Sequence, residues 1–394
     1  MKQSVQLCAR LGAWSMLAMI ASVSAAEPEF ETIFNGKDLT GWDGRPGFWT
    51  VVDGHIRGET TPENKAPGNT FLIWRGGKLQ DFELQISYRI HSGNNSGVQY
   101  RSKETAKWVV SGYQAEVQNQ LGKTAFLYHE KGRGWLVDVG DFMEIDAAGK
   151  KAVVGVVADQ PSIIAAPYHK DKDWNHYHFT CRGNHVIHAL NGFQTVELID
   201  YQADKDPNSL KQRCLEGVLA VQLHAGGPMK VDFKDIRVKH LTDGYGEARR
   251  LFNGKDLSGW SASGDGKAAW SVKPLDDPAA TKSNRRTKIE DALNVLACSG
   301  KASASLQCGE DVGKNYVLRF QRRTKKSAKS GAPIHAVLGW DTVEATVRGG
   351  KTEVRVNGTL RKDAAAPIQN GVPALPGDVK AEYRNVVLIP IVGK

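Results

Sequence analysis

The sequence lacks the motifs that several protein classes require. Only five of its 394 residues are cysteine, and none lies in a Cys-x-x-Cys pair or at zinc-ligand spacing from a histidine, which argues against a zinc finger. It has no Gly-rich phosphate loop, nucleophile elbow or HExxH motif, which argues against the common nucleotide-binding, α/β-hydrolase and zinc-peptidase classes. Long Ala/Leu/Glu/Lys tracts are absent as well, which disfavours a helical protein.

The composition favours a turn-rich β protein. Glycine occurs 41 times and tryptophan 10 times, within an ordinary globular balance of 41% hydrophobic and 24% charged residues. The formal net charge is +9, but the basic residues are spread along the chain and are not interleaved with aromatics, so we expect no nucleic-acid partner. The length predicts two or three domains.

The N-terminus reads as a targeting segment. Lys2 and Arg10 form a positive region, residues 11–23 are apolar, and Val23-Ser24-Ala25 offers a small-residue cleavage site. We therefore expect residues 1–26 to be a signal peptide and the mature protein to be exported, either periplasmic or secreted by a bacterium. No apolar run beyond the N-terminus is long enough to span a membrane.

Four cysteines follow this segment. In an exported protein, two disulfides are one interpretation, and free buried thiols are the alternative, since a chain of this size needs no covalent crosslinks. The pairs in question are Cys181 with Cys214 and Cys298 with Cys308.

A sequence repeat divides the chain. Residues 33–42 (IFNGKDLTGW) return as residues 251–260 (LFNGKDLSGW), and further matches follow in the same order. A repeat of this length indicates two homologous domains rather than a solenoid. We place the boundary within residues 242–248, which gives domains at 27–243 and 249–394.

Each copy has the pattern of short strands. Phe82, Leu84 and Ile86 alternate with polar residues, as in a half-buried strand. Asn191-Gly192 lies between two strand-like runs and supplies the positive φ angles of a two-residue hairpin turn. Many short strands without a long amphipathic helix predict an all-β protein with two jelly-roll β-sandwich domains in tandem.

Polar residues recur within strands of the first copy. Side chains two residues apart share one face of a strand. Three segments have this spacing: Gln99 with Arg101 after a turn at Asn95, Gln114 with Glu116 and Gln118 after Tyr113, and Gln222 with His224. A Gly-rich loop adds Tyr128, Glu130 and Arg133. Together they have the composition of a sugar-binding groove. Solvated strand faces, a surface ion pair and structural histidines are the plain structural alternatives.

The second copy keeps the framework residues but not these polar residues. Residues 330–337 (SGAPIHAV) stand where the first copy has residues 94–101 (NSGVQYR after Asn94). If the polar residues were needed for folding, both copies would need them. We therefore assign function to residues 27–240 and an accessory role to the C-terminal copy.

These motifs resemble the 3-keto-disaccharide hydrolase domain family. The resemblance rests on residues 34–42, Asn95-Ser96-Gly97, Gly112-Tyr113-Gln114, Asn191-Gly192 and the stretch 223–236. It implies a concanavalin-like jelly-roll fold, bacterial export and action on glycosides whose glucose ring carries a ketone at C3. At residues 114–116 this chain has Gln-Ala-Glu where many members have Glu-x-Gln.

The chemistry that the resemblance implies needs a base and an enolate-stabilising donor. A C3 ketone acidifies the hydrogen on C2, so a base with a pKa near neutrality removes it and the C1 substituent leaves. We expect His224 or Glu116 as base, with Arg101, Gln99 and Gln114 holding sugar and enolate. A divalent metal on Glu116 and His224 is an alternative donor. Further substrate contacts are expected from Asn95, Tyr113, Tyr128, Glu130, Arg133 and Gln222.

The outcome of this chemistry is open at the level of sequence. Water addition after elimination gives net hydrolysis, and its absence makes the enzyme a lyase. A non-catalytic glycan-binding module is the alternative of a different class, because sandwiches of this shape also serve only to bind sugars. In each case the expected partner is an oligosaccharide or glycoside.

Overall fold

The computed structural model describes residues 29–91, 95–120, 123–157, 168–203, 205–206, 208–262, 264–276, 285–300, 305–324 and 339–393. The expected signal peptide, Asn94 and the stretch 330–337 of the second copy lie outside the described residues. Regular structure in the described residues consists of strands and one short 3-10 helix, Gly264–Ala269. The all-β prediction is therefore confirmed. No helix in this part of the chain is long and apolar enough to cross a membrane.

The first unit is a sandwich of two sheets, with strands numbered in chain order. Its larger sheet contains, in hydrogen-bonding order, β12 (Lys151–Val156), β11 (Asp141–Ile145), β15 (Phe193–Asp200), β14 (His185–Leu190), β13 (Asn175–Arg182), β6 (Phe82–Ile90), β17 (Met229–His240), β4 (His55–Thr60) and β3 (Trp49–Val52), and β1 (Glu31–Thr32) also pairs with β17. Its smaller sheet contains β10 (Gly134–Val137), β9 (Leu127–Glu130), β8 (Val109–Val117), β7 (Ser96–Ala106), β16 (Val218–Leu223), β5 (Thr70–Trp74) and β2 (Trp42–Asp43).

The second unit also has a larger and a smaller sheet. The larger contains β20 (Trp270–Pro274), β21 (Asn294–Ser299), β29 (Lys380–Pro390), β23 (Tyr316–Thr324), β24 (Asp341–Arg348), β25 (Lys351–Val356) and β26 (Thr359–Leu360), and β18 (Arg249–Arg250) pairs with β29. The smaller contains β19 (Trp260–Ala262), β22 (Leu306–Cys308), β28 (Val372–Leu375) and β27 (Ile368–Gln369).

The strand pattern read from the sequence is confirmed. In β6 the side chains of Phe82, Leu84 and Ile86 are buried between the sheets, because alternate residues of a strand face the core. Asn191 and Gly192 have φ angles of 50° and 84° and form the two-residue turn that pairs β14 with β15. This is the geometry that an Asn-Gly hairpin provides at low steric cost.

The repeated sequences form matching local structures. Trp42 Nε1 donates a hydrogen bond to the carbonyl of Ile33 (3.0 Å), and Trp260 Nε1 donates one to that of Leu251 (2.8 Å). The last strand of each unit, β17 or β29, is long and has a shift in its pairing register. Each of these strands also pairs with the short first strand of its unit, β1 or β18. The framework of the two units is thus alike in structure as well as in sequence.

The units differ in the block that follows the central strand. In the first unit, residues 91–174 separate β6 from β13 and include β7 to β12. In the second unit only residues 325–340 separate β23 from β24, which pair with each other as β6 and β13 do. Most of the smaller sheet that holds the polar residues therefore belongs to a block that only the first unit has room for.

The four described cysteines are free thiols. Cys181, Cys298 and Cys308 are buried, and Cys214 is half-buried. Burial raises the pKa of the Cys181 and Cys214 thiols to about 12, so neither is an effective nucleophile at neutral pH. Of the two interpretations of the sequence, the structure agrees with free thiols.

The prediction that Arg101 shares a face with Gln99 is wrong. Arg101 has a φ of 49°, and the pairing register of β7 shifts next to it, which interrupts the alternation of the strand. Its guanidinium is buried and donates to the carbonyls of Gln80 (2.6 Å) and Gly183 (2.7 Å) and to the Asp81 carboxylate (3.3 Å). Arg101 therefore ties the smaller sheet to the ends of the larger one.

We expect Arg101→Ala to lower the free energy of unfolding by about 3–5 kcal/mol, because it leaves buried carbonyls and the Asp81 carboxylate without their donor. Urea denaturation of the full chain measures this loss. The control is Arg237→Ala, since Arg237 is exposed on β17 and its loss should change stability by no more than about 0.5 kcal/mol. Equal midpoints for the two variants would show that Arg101 has no structural role.

Candidate active site

The outer face of the smaller sheet collects the polar side chains of three neighbouring strands. In β8, Tyr113 and Ala115 belong to the core between the sheets, so Gln114 and Glu116 point to the opposite face. Gln99 on β7 and Tyr128 on β9 lie directly across from Gln114 in the strand register. The predicted row of Gln99, Gln114, Glu116 and Tyr128 is therefore brought together.

The hairpin between β7 and β8 packs on part of this face. The carbonyl of Trp108 in the hairpin turn accepts a hydrogen bond from the Phe71 backbone (3.0 Å), and Val110 packs on Phe71, Ile73 and Ala220 of the outer face. The polar row is itself buried even though it lies outside the sandwich core; Glu116 is 2% exposed.

A chain of hydrogen bonds ends on Glu116. Ser102 Oγ donates to Gln99 Oε1 (3.0 Å), and Gln99 Nε2 donates to Gln114 Oε1 (2.5 Å). Gln114 Nε2 then donates to Glu116 Oε2 (2.9 Å), and Gln118 Nε2 donates to Glu116 Oε1 (2.7 Å). Each carboxylate oxygen thus has an amide donor, which fixes the orientation of the group.

Gly97 lies under this chain. It faces Glu116 across the strand pair, and a Cβ at this position would come within 2.4 Å of the Gln114 side chain. Only glycine leaves room for Gln114 to reach Glu116. This close approach gives the Asn95-Ser96-Gly97 motif a physical role.

Two buried acceptors in the site have no hydrogen-bond partner among the described residues. They are Gln222 Oε1 and Asn95 Oδ1. The other end of each amide is engaged: Gln222 Nε2 donates to Gln114 Oε1 (3.1 Å), and Asn95 bonds to Glu116. An unpaired buried acceptor is costly, so the site is suited to a ligand that brings hydroxyl donors.

The environment of Glu116 brings the pKa of its carboxyl close to neutral pH. Burial disfavours the ionised form and is the largest influence, raising the pKa of Glu116 to about 7, with the charge of Glu130 acting in the same direction. The amide donors of Gln118 and Gln114 oppose this by stabilising the carboxylate. A carboxyl of this kind can both accept and return a proton at pH 7.

Glu130 and His224 form a second pair at the end of β16. Burial raises the pKa of Glu130, while Asn69 and the nearby His224 act to lower it. Asn69 Nδ2 donates to Glu130 Oε1 (3.3 Å). His224 Nδ1 lies 2.6 Å from the carbonyl of Ala225, which can only accept a hydrogen bond. Nδ1 therefore carries a proton and donates to this carbonyl.

Tyr113 and Arg133 are not brought to this face. Tyr113 points into the core because it alternates with Gln114, and its hydroxyl donates to Asp200 Oδ2 (2.5 Å). Arg133 follows a turn with positive φ at Lys131 and donates to both oxygens of Asp200 (2.5 and 3.1 Å). Their expected substrate contacts, like that of Arg101, are therefore replaced by structural roles.

Gln118 was expected beside Gln114 and Glu116 from the period of two, and its amide does donate to Glu116. Two other members of the site were not expected. Ser102 reaches Gln99 only because the register of β7 shifts, and Asn69 lies just before β5, across the sheet. Neither has a local sequence signal.

The geometry does not favour the alternative of a divalent metal on Glu116 and His224. Among the residues that the structure describes, no group of three or more His, Cys, Asp or Glu side chains could hold a metal ion. Both oxygens of Glu116 already accept amide hydrogen bonds. We derive no catalytic step through a metal.

The raised pKa of Glu116 makes stability depend on pH. A carboxyl whose pKa rises from 4.5 to about 7 on folding adds stability below pH 4.5 that is lost as pH rises through 7. The wild type should therefore lose about 3 kcal/mol relative to Glu116→Gln between pH 4.5 and 8. Urea denaturation across this range measures the difference. Exposed Glu216→Gln is the control, and a pH-independent difference for Glu116→Gln would contradict the assignment.

Comparison with known proteins places this site within a sequence family. A 3-keto-disaccharide hydrolase of Bacteroides thetaiotaomicron is 35% identical over 80 residues, which are 18% of this chain and 27% of that relative's length. The solved structure of a candidate glycosyl hydrolase from Parabacteroides distasonis is 18% identical, with a TM-score of 0.36. The match covers 54% of this chain and 100% of the other chain. The structure of the carbohydrate-binding module CBM66 of Bacillus subtilis is 14% identical, with a TM-score of 0.33. This match covers 50% of this chain and 95% of the module.

The match to a family model covers the whole first unit. The model described as the 3-keto-alpha-glucoside-1,2-lyase-like domain aligns with residues 29–239. This range contains every residue of the candidate site. Because it spans more than half of the chain, the protein belongs to the 3-keto-alpha-glucoside-1,2-lyase-like domain family.

Proposed function

We propose that the protein cleaves glycosides whose glucose ring carries a ketone at C3, by removal of the C2 proton, elimination and addition of water. The observation that carries the proposal is Glu116, a buried carboxyl with a pKa of about 7 that is oriented by amide donors. Family membership supports a carbohydrate-active function, and the name of the Bacteroides relative supports the substrate class.

In the first step the Glu116 carboxylate takes the proton from C2. The electron pair of the C2–H bond moves to form a C2–C3 double bond, and the C3 carbonyl oxygen becomes an enolate. A base with a pKa near 7 combines a large ionised fraction with useful basicity at neutral pH. The amides of Gln114 and Gln118 hold the carboxylate in place, which reduces the cost of orienting it.

In the second step the enolate electrons return and the glycosidic bond breaks. A C1–C2 double bond forms while the leaving oxygen departs from C1 and takes a proton. Glu130 is the proton donor, since burial favours its protonated form, and His224 lies beside it. Addition of water across C1 and C2 then gives the 3-keto sugar.

Sugar hydroxyls fit the unpaired acceptors of the site. Gln222 Oε1 and Asn95 Oδ1 have no donor among the described residues, and Tyr128 lies beside Gln114 of the same row. Binding a hydroxyl at each acceptor removes the cost of burying it unpaired. The first unit thus provides binding groups on the same face as the base.

The site of action that we propose is outside the cytoplasm. The positive, apolar and small-residue regions of residues 1–26 have the order of a signal peptide. Fractionation of cells that express the full chain, with N-terminal sequencing of the mature protein, tests this. Recovery of an uncleaved chain in the cytoplasm would contradict it.

We expect Glu116→Gln to reduce kcat for 3-keto-cellobiose or 3-keto-trehalose by a factor of about 10²–10⁴, because the amide has the same shape but cannot accept the proton. The matched control is Glu216→Gln in the same unit, which should keep the wild-type rate. Mass analysis of the products provides the measurement. Near-wild-type turnover by Glu116→Gln would remove Glu116 as the base.

Turnover in D₂O tests the elimination itself. Removal and return of the C2 proton should place one deuterium at C2 of the 3-keto product, whereas direct hydrolysis leaves the original hydrogen there. Product without deuterium would overturn the elimination mechanism, and accumulation of the unsaturated sugar would identify a lyase. Calorimetry that detects glycan binding without any product would favour a binding module.

A further inference from the structure

We propose that the second unit completes the candidate site through a segment, residues 285–290, that holds the edge of the smaller sheet. Within this arm, Arg286 is a positioning residue that acts on Glu116 through Trp135. The inference extends the proposed function, since it concerns the same site. It gives the C-terminal copy a role that its own polar residues do not suggest.

The arm is anchored on the first unit by four contacts. Arg285 makes hydrogen bonds of 2.8 to 2.9 Å with both oxygens of Asp141 at the start of β11, and both side chains are buried. The backbone nitrogen of Arg286 donates to Asp138 Oδ2 (2.7 Å). Ile289 packs against the hydrophobic core of the first unit, and Glu290 pairs with Lys150 (2.8 Å). A segment that belongs to the second repeat is therefore packed on the first.

From this anchor, Arg286 reaches the site through stacked rings. Its guanidinium lies 3.8 Å above the Trp135 ring, which stacks on Phe126 at 3.4 Å and 12°. The carbonyl of Phe126 accepts the backbone N–H of Glu116 (3.2 Å), and the backbone N–H of Ala125 donates to the Glu116 carbonyl (3.0 Å). Two ring contacts and one hydrogen bond separate Arg286 from the proposed base.

The strand that Arg286 covers needs such support. β10 is the last strand of the smaller sheet and spans only Gly134–Val137, with a register shift in its pairing to β9. Short edge strands are the parts of a sheet that open most readily. Trp135 lies opposite Tyr128 in this pairing and stacks on Phe126, so movement of β10 disturbs both contacts.

The test compares Arg286→Ala with Arg286→Lys in the full chain. Arg286 is exposed, so neither change endangers folding, and an ammonium can replace the guanidinium above the indole. We expect Arg286→Ala to speed amide exchange at Glu116 and Ala125 by about 2- to 5-fold and to lower kcat by a similar factor with KM unchanged. Arg286→Lys should restore both. Exposed Lys351→Ala on β25 of the second unit is the control and should alter neither.

A second variant tests the anchor. Arg285→Ala removes the buried partner of Asp141 and should speed exchange at the same two amides by more than 10-fold, while amides of β6 keep their wild-type rates. Unchanged exchange at Glu116 and Ala125 in both Arg286→Ala and Arg285→Ala would overturn the role of the arm. Exchange is measured without substrate, so it decides this point even if the wild type fails to cleave 3-keto glycosides, a result that would remove only the proposed function.

Discussion

The burial of one carboxyl on the outer face of a sheet is the constraint on which the rest of the site depends. An isolated ionised glutamate in such a place would be prohibitively costly. The chain of hydrogen bonds from Ser102 through Gln99 and Gln114 offsets that cost, because it ends in an oriented amide donor to the carboxylate. Burial raises the pKa of Glu116, and the amide chain keeps the ionised form accessible. Without burial and these donors, Glu116 would be an ordinary surface carboxylate unsuited to proton transfer at neutral pH.

Local periodicity accounts for the parts of this arrangement that the sequence predicts. Alternation alone puts Gln114 and Glu116 on one face of β8 and Tyr113 on the other face. The Asn191-Gly192 pair likewise predicts a hairpin turn from the sequence alone. The same rule failed at Arg101, because a shift of register turns its side chain inward. Nothing in the neighbouring residues announces that shift. A positive φ at a residue other than glycine, asparagine or aspartate is rarely visible in a single sequence.

Long-range partners account for the rest of what the sequence could not show. Arginine is a residue type that commonly binds substrates, but Arg133 instead donates hydrogen bonds to Asp200, which lies far along the chain. Asn69 enters the site from the segment just before β5. The contact of Arg286 with Trp135 joins the two halves of the chain. Such pairings depend on how sheets pack, and residue spacing carries no information about them. A family resemblance identifies the motif, but the fold decides which of its polar residues face the ligand.

The two units share a frame of strands and differ by one contiguous block between β6 and β13. In the second unit, as far as the structure describes it, the frame holds its own core when the corresponding connection is much shorter. The block thus begins and ends at neighbouring, paired strands of the frame. The junction between β6 and β13 is therefore where one ligand-binding block could be exchanged for another while the frame keeps its strand pairing.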